Sequence, residues 1–237
     1  AQAYQPGKVV MEIEGPAVLS LPAGQEIAAQ WSSMRSSMTA NLEGVDRFSV
    51  IGRDLFFKPR RILLEPARLG ELQLHARRQT GETVQFAVRA KQVVSDQAKW
   101  PEFSSSLLIS LEEVYSQLKR RPDLISLTRE KGLRGTLDSF EYMPQQGGRL
   151  TLSGPIELSK SGHITGQFEL KILDAAKLLQ AFETIMPQRR EQLGQVRSAI
   201  RFLPGGTGDK ELRLPLNVKD GQLYLGVFQL GKLPPLF

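Results

Sequence analysis

The chain has 237 residues, of which 41% are hydrophobic, and it carries a net charge of +6 and no cysteine. This hydrophobic content is too high for a disordered chain, and the length suits one large domain or two small ones. The lack of cysteine excludes disulfides, thiolate metal sites and cysteine nucleophiles, and no apolar run approaches the roughly 20 residues that span a bilayer.

The N-terminal third contains short segments in which apolar residues occupy every second position. Such alternation predicts β-strands, and the turn-forming segments Gly15-Pro16 and Pro22-Ala23-Gly24 separate them. The alternating apolar positions are Val9, Met11 and Ile13, then Ile27, Ala29 and Trp31, then Met38, Ala40 and Leu42, which lead to Phe48 and Val50.

The same period of two is clearest in five later segments. A strand places alternate side chains on opposite faces, so each segment predicts one apolar and one polar face, the pattern typical of antiparallel sheets. The apolar positions are Leu72, Leu74 and Ala76; Val84, Phe86, Val88 and Ala90; Leu150, Leu152, Ile156 and Leu158; Ile164, Phe168, Leu170 and Ile172; and Leu212, Leu214, Leu216 and Val218.

Turn signals separate these strands. Asp220-Gly221 between two alternating segments is a strong signal for a two-residue hairpin, and segments 79–82, 145–148 and 159–162 each place glycine between two predicted strands. The chain is therefore expected to fold back repeatedly on its neighbour, as a meander.

The segment 107–118 fits two structures. Its first half alternates as a strand does, whereas its second half has apolar residues three and four apart, as in a helix. We expect a strand that passes into a helical or irregular connection ending near Arg121-Pro122.

Residues 174–203 depart from the strand pattern. Their apolar residues are spaced three and four apart, which predicts a long amphipathic helix near the C-terminus. Asp174 is the expected N-cap, Pro187 is expected to kink the helix or break it into a pair, and Pro204-Gly205-Gly206 is expected to end it.

These patterns predict a mainly β fold in a single domain over residues 1–237. We expect a large curved antiparallel meander sheet, a half-barrel or open barrel, with the long helix packed on it. A helix of about 30 residues is about 45 Å long but only about 10 Å wide, whereas about ten strands span about 48 Å. The sheet must therefore close around a filled core, or leave an apolar groove for a ligand such as an acyl chain.

Seven residues at inward strand positions are candidates to line such a groove, and they could equally form plain core. They are Leu72, Leu74, Phe86, Val88, Leu152, Phe168 and Leu170.

Catalytic and metal-binding patterns are missing from the sequence. The two histidines, His75 and His163, occupy positions on the polar side of a strand or in a turn, and no spacing resembles a metal site or a Gly-x-Ser-x-Gly elbow. The visible carboxylate pairs are Glu112/Glu113 and Asp138/Glu141, and both are better explained as solvated residues on strand edges. We therefore predict neither an enzyme nor a cofactor.

The basic residues lie in short groups scattered along the chain. They indicate either anionic partners, such as phospholipid headgroups or nucleic acid, or ordinary solvated faces, which are the simpler explanation. Nucleic-acid binding would need exposed aromatic residues among them, yet aromatics are only 7% of the chain and most occupy apolar strand positions. No nucleic-acid partner is expected.

Several motifs, most of them in the C-terminal half, resemble those of a known bacterial family. They are Leu150-Thr-Leu-Ser-Gly154, Gly162-His-Ile-Thr-Gly166-Gln-Phe-Glu-Leu170, Asp174 to Leu179, Leu214-Pro-Leu-Asn-Val-Lys-Asp-Gly221-Gln-Leu-Tyr-Leu-Gly226, Leu233-Pro-Pro-Leu-Phe237, Leu21-Pro-Ala-Gly24, and Ser37-Met38 to Arg47-Phe48-Ser49. The family consists of uncharacterised bacterial periplasmic proteins that carry only a domain-of-unknown-function label and are similar to AsmA-like envelope proteins.

The resemblance implies a periplasmic location, attachment to the inner membrane through a signal or anchor helix that this sequence lacks, and a curved β-groove that handles lipids. It implies no catalytic residues. The predicted function is that of a non-catalytic cell-envelope protein that binds or shields a lipid or other apolar ligand in a β-groove. The alternative is a structural or protein-interaction module of the envelope with a filled core and no ligand. Lipids and envelope proteins are thus the expected partners.

Overall fold

The computed structural model describes residues 7–21, 25–42, 44–60, 65–95, 100–121, 123–185, 194, 197, 198, 211–226 and 228–237. The three helices in this part of the chain are α1 Tyr115–Arg120, α2 Leu124–Lys131 and α3 Ala175–Ile185. The strands are β1 Lys8–Glu12, β2 Ala17–Leu21, β3 Gln25–Gln30, β4 Ser33–Asn41, β5 Gly44–Arg60, β6 Ala67–Arg78, β7 Val84–Ser95, β8 Phe103–Leu111, β9 Leu133–Pro144, β10 Arg149–Leu158, β11 Ile164–Leu173, β12 Leu212–Lys219, β13 Gln222–Leu225 and β14 Phe228–Lys232. The predicted mainly β fold is confirmed.

All fourteen strands belong to one antiparallel sheet. From β4 to β14 each strand pairs with the next in sequence, which confirms the predicted meander. At the other side β1 pairs with β4, while the β2–β3 hairpin pairs with the second half of β5. Because β1 and β14 stand at opposite ends of the described strand order, the sheet is open and not closed into a barrel.

The predicted hairpin turns lie where the sequence indicates them. Asp220 and Gly221 connect β12 to β13, and both have the positive φ angles, 49° and 79°, that a type I′ turn requires. Segments 79–83, 145–148 and 159–163 connect β6 to β7, β9 to β10 and β10 to β11. The segment 107–118 holds both expected structures, because β8 ends at Leu111 and α1 begins at Tyr115.

A single unbroken helix over 174–203, one of the two predicted forms, is wrong. Its start is correct, since the Asp174 carboxylate accepts a hydrogen bond of 3.3 Å from the backbone nitrogen of Lys177, but α3 has only 11 residues. Arg197 Nη2 lies 2.6 Å from Glu183 Oε1, whereas an unbroken helix would separate these residues by about 21 Å along its axis. The chain therefore does not run straight between them. Pro187 and the expected end at 204–206 lie outside the described residues.

The apolar side chains of successive strands lie opposite one another and form one continuous surface, the apolar face. Across the centre of the sheet, Val88 pairs with Leu107, Leu107 with Phe140, and Phe140 with Leu152. The opposite surface, the polar face, carries most of the charged and polar strand residues.

Three core clusters lie on the apolar face. Helix α3 packs on the first, which includes Tyr142, Ile172 and Leu212, and α1 and α2 pack on the second, which includes Val84 and Leu111. The third lies between them and is built by the strands β8 to β13 and the chain after β14. Its buried residues are Leu137, Phe168, Leu216 and Val218. No described helix is both long enough and apolar enough to cross a membrane.

The α3 cluster gives a test of this packing. Leu178 is 3% exposed beneath α3, so Leu178→Ala should lower the free energy of unfolding by about 2–5 kcal/mol. Gln180→Ala, at an exposed position of the same helix, should change it by at most about 0.5 kcal/mol. Urea unfolding followed by circular dichroism measures both, and equal effects would contradict the described packing of α3.

Candidate functional site

The apolar face is covered on one side of the sheet and exposed on the other. The helices pack over strands from β7 to β12. Toward the β1 edge the same face opens to solvent, so that Phe48 on β5 is 40% exposed and Met11 on β1 is 49% exposed. Large apolar side chains that remain exposed together are typical of a ligand site or an interaction surface.

A groove with a volume of about 580 Å³ lies at the border between these two regions. This volume falls within the range of about 300–1,000 Å³ found for small-molecule sites. Strands β4 to β7 form the floor of the groove, and helices α1 and α2 form one wall. The apolar residues that line it are Met38, Val45, Phe48, Ala76, Val84, Phe86, Tyr115, Leu118 and Leu124.

Helix α1 is held beside the groove by Glu82, which lies in the turn between β6 and β7. The Glu82 carbonyl oxygen accepts hydrogen bonds of 3.0 Å from the backbone nitrogens of Val114 and Tyr115. The Glu82 carboxylate accepts two more from Ser116, 2.7 Å from the backbone nitrogen and 2.9 Å from the hydroxyl. Since Val114 at the N-cap offers no side-chain oxygen, Glu82 satisfies the first N–H groups of α1 from outside the helix.

These contacts favour the ionised form of Glu82. The backbone and side-chain hydrogen bonds from Ser116 lower the pKa of Glu82 below its ordinary value, because they stabilise the ionised carboxylate. Helix α2 is capped in the same way by its own residues: Asp123 accepts a hydrogen bond of 2.6 Å from the Ser126 hydroxyl and one of 3.0 Å from the Ser126 nitrogen. These bonds lower the pKa of Asp123.

Tyr115 joins α1 to the sheet at one end of the groove. Its side chain is buried, and a Cβ atom on Gly44 would come within 2.8 Å of the Tyr115 hydroxyl. Gly44 also has a φ angle of 137°, so only glycine allows this close approach at the start of β5. The guanidinium of Arg78 lies 4.1 Å from the centre of the Tyr115 ring, which is a cation–π distance.

The same end of the groove lies where β5 and β6 separate. Their ladder ends at Arg47, which is paired with Arg77. Beyond this pair, β5 continues along β4 to Gly44, and β6 continues along β7 to Arg78. Arg47, Arg77 and Arg78, here called the arginine fork, line both the groove and a second hollow that includes Thr39 of the polar face.

The register places all seven predicted groove residues on the apolar face, but in two environments. Four lie on β6 and β7 and three on β10 and β11: Leu72, Leu74, Phe86 and Val88; Leu152, Phe168 and Leu170. Of these, Phe86 lines the groove, and its three neighbours are half-buried on the same two strands. Phe168, at 5% exposed, belongs with Leu152 and Leu170 to the filled third cluster. Their role toward a ligand stays a prediction.

Most of the groove lining comes from residues outside the predicted set. Phe48 and Met38 belong to strands whose alternation the sequence shows, and Leu118 belongs to the helical spacing of 111–118. These signals indicate the elements, but the convergence of α1 with β5 depends on the Glu82 contacts, which connect residues 34 positions apart.

The residues considered for catalysis are dispersed. Asp138 lies at a bulge in β9, where its carboxylate accepts hydrogen bonds of 2.9 Å from Gln85 and 2.7 Å from Ser110. His163 lies in the turn between β10 and β11, at least roughly 17 Å from Asp138 by strand register. Among the described side chains, no group of three His, Asp or Glu residues could hold a metal ion.

Comparison with known proteins gives one match. A family model described as an uncharacterized protein conserved in bacteria, DUF2125, matches residues 1–234. No curated protein and no solved structure matches the chain. The match agrees with the resemblance to a domain-of-unknown-function family, and it carries no information on an AsmA-like relation or a periplasmic location.

Acid should loosen the attachment of α1. Because the pKa of folded Glu82 lies below its ordinary 4.5, the Ser116 hydrogen bonds stabilise the fold fully above that pH and are lost as the pH falls through the lowered pKa. The amide signal of Ser116 in NMR spectra should shift on acidification in the wild type. In Glu82→Gln it should lack this titration and resemble the acid form at neutral pH. The same pH dependence in both proteins would contradict the role given to Glu82.

Proposed function

We propose that this chain, which belongs to the DUF2125 family of uncharacterised bacterial proteins, binds the acyl chain of a lipid, or a similar apolar ligand, in the groove without catalysing a reaction. The observation that carries the proposal is a groove of about 580 Å³ with an apolar floor, placed where the apolar face loses its cover. A ligand there would remove exposed apolar surface from water.

The energetics favour an extended apolar ligand. Phe48 and Val45 are 40% and 44% exposed on the groove floor, and burying an apolar side chain fully yields about 1.5–3 kcal/mol. Each ligand methylene that enters the groove adds about 0.8 kcal/mol. A chain of several methylenes along β5 and β6 would therefore bind measurably even without a specific polar contact.

The proposed location is the cell envelope, in the periplasm and attached to the inner membrane. The support for it is the resemblance of the sequence motifs to AsmA-like envelope proteins. In that compartment, a groove that shields acyl chains would lie close to its lipid source.

A second candidate function is protein interaction through the edge strand β1. All five residues of β1 are exposed, and among the described strands β1 pairs only with β4. Val9 and Met11 extend the apolar face, whereas Val10, at 61% exposed, points to the opposite side. An exposed edge strand with apolar residues on both sides can add a strand from another protein. This feature favours an interaction module of the envelope.

The groove proposal is tested by two substitutions on the same strand. Phe48→Ala should weaken binding of N-phenylnaphthylamine, an uncharged dye that fluoresces in apolar sites, by about tenfold or more, because Phe48 contacts the ligand. Ile51→Ala is the matched control, since Ile51 is 39% exposed on the polar face of β5, and should leave the affinity unchanged.

The dependence of affinity on the acyl-chain length of the ligand gives a second test of the groove. The affinity for monoacylglycerols should rise about fourfold per added methylene until the groove is filled. A wild-type protein that binds neither dye nor monoacylglycerol, or equal losses in Phe48→Ala and Ile51→Ala, would overturn the proposed function.

The interaction candidate has its own test. A photo-crosslinking amino acid placed at Val10 in bacterial cells should give a discrete adduct with one protein, because β1 would lie against the added strand. The same amino acid at Ile51 serves as the control for general exposure. The loss of the Val10 adduct on adding Met11→Lys would support strand pairing, whereas identical patterns at positions 10 and 51 would argue against it.

A further inference from the structure

The arginine fork brings like charges together. Arg47 and Arg77 are directly opposite on β5 and β6, and like charges at such positions destabilise a sheet. Among the described residues, the Arg47 guanidinium makes no hydrogen bond or ion pair. The β5–β6 ladder thus ends in two adjacent cations, and no described side chain neutralises the charge of Arg47.

The position of Arg77 is fixed by a buried polar chain. Arg77 Nε donates a hydrogen bond of 2.8 Å to Gln85 Oε1, and Gln85 is only 8% exposed. Gln85 Nε2 in turn donates to Asp138 Oδ2 at 2.9 Å and to Ser110 Oγ at 3.2 Å. Because these acceptors orient the amide nitrogen, the amide oxygen must face Arg77. This series of hydrogen bonds holds the Arg77 guanidinium through Nε, the nitrogen nearest the aliphatic part of the side chain.

The surrounding charges favour an anion. Lys119 of α1 lines the groove beside the fork, so four cationic side chains line the groove. Two carboxylates lie near them: that of Asp46, which also lines the groove, and that of Glu82, whose charge interacts with Arg78. Asp46 occupies a bulge in β5, and its carboxylate accepts a hydrogen bond of 2.7 Å from Asn41 Nδ2. Arginine side chains bind phosphate and carboxylate groups through paired N–H donors, and such charged hydrogen bonds are among the strongest in proteins.

We propose that the arginine fork binds the anionic head group, a phosphate or carboxylate, of an amphiphile whose chain occupies the groove. This inference rests on the proposed function and adds the ligand class to it. The continuity of the two hollows carries it: the same arginines line the end of the apolar groove and the polar hollow beyond. An amphiphile in the groove would thus place its head group where β5 and β6 separate.

The test compares two lipids that share an acyl chain, lysophosphatidic acid and monoacylglycerol, by isothermal titration calorimetry. The wild type should bind the phosphate-bearing lipid about tenfold or more tightly than the uncharged one. Arg47→Gln should remove most of this difference, and Arg47→Lys should retain part of it. Arg89→Gln, which removes an exposed cation from the polar face of β7, should change neither affinity.

A loss of binding in Arg47→Gln would not be explained by a loss of stability. Arg47 has no described partner to lose, and its removal relieves repulsion from Arg77, so Arg47→Gln should unfold at the same or a higher urea concentration than the wild type. Inorganic phosphate is titrated separately to distinguish a free anion from a lipid head group. The amphiphile should bind far more tightly than phosphate alone.

The outcomes separate the two proposals. Equal affinities for both lipids in the wild type and in Arg47→Gln would overturn the head-group site while leaving the groove function intact. Failure of both lipids to bind would overturn the groove function and this inference with it. Binding of inorganic phosphate as tight as that of lysophosphatidic acid, lost in Arg47→Gln, would show a site for a free anion and refute the amphiphile.

Discussion

The structure depends on one constraint: an open sheet with a continuous apolar face must cover that face with whatever the rest of the chain supplies. Three short helices are available in the described chain, and all of them pack on the side from β7 to β12. Toward β1 the face is left exposed, as Phe48 and Met11 show. The groove follows from this uneven cover, since it lies where the helices end and the bare strands begin.

The position of helix α1, which forms the wall of the groove, depends on contacts with a turn that is distant in sequence. Helix α1 has six residues, too few to be stable alone, and its N-cap Val114 provides no side-chain acceptor. Glu82 supplies the missing acceptors from the β6–β7 turn, and buried Tyr115 fills the space above Gly44. The position of the groove wall is therefore set by hydrogen bonds to the β6–β7 turn rather than by helix propensity.

Much of the fold was predictable because period two and glycine turns are local signals. The alternation of Val84 to Ala90 and the Asp220-Gly221 turn specify strands and a hairpin without knowledge of the rest of the chain. Over 174–203 the apolar spacing reports helical periodicity but not a change of chain direction, which the Glu183–Arg197 ion pair requires. The sequence signal for such a break is Pro187, which lies between these two residues. The site was only partly predictable. Phe86 followed from alternation, whereas the separation of β5 from β6 at Arg47 depends on a non-local register.

The meander has a consequence for how the molecule opens. Each strand from β6 onward is paired only with its sequence neighbours, so this part of the sheet behaves almost as a one-dimensional array, in which local unfolding proceeds from an end. Strands beneath the helices are stabilised both by backbone hydrogen bonds to their neighbours and by packing in the core. Strand β1 has a single ladder and five exposed residues, so we expect it to fray more easily than the strands beneath the helices. The groove therefore lies between the strands that the helices cover and the exposed edge of the same sheet, and the proposed ligand would enter through fluctuations at that edge while the helical side stays intact.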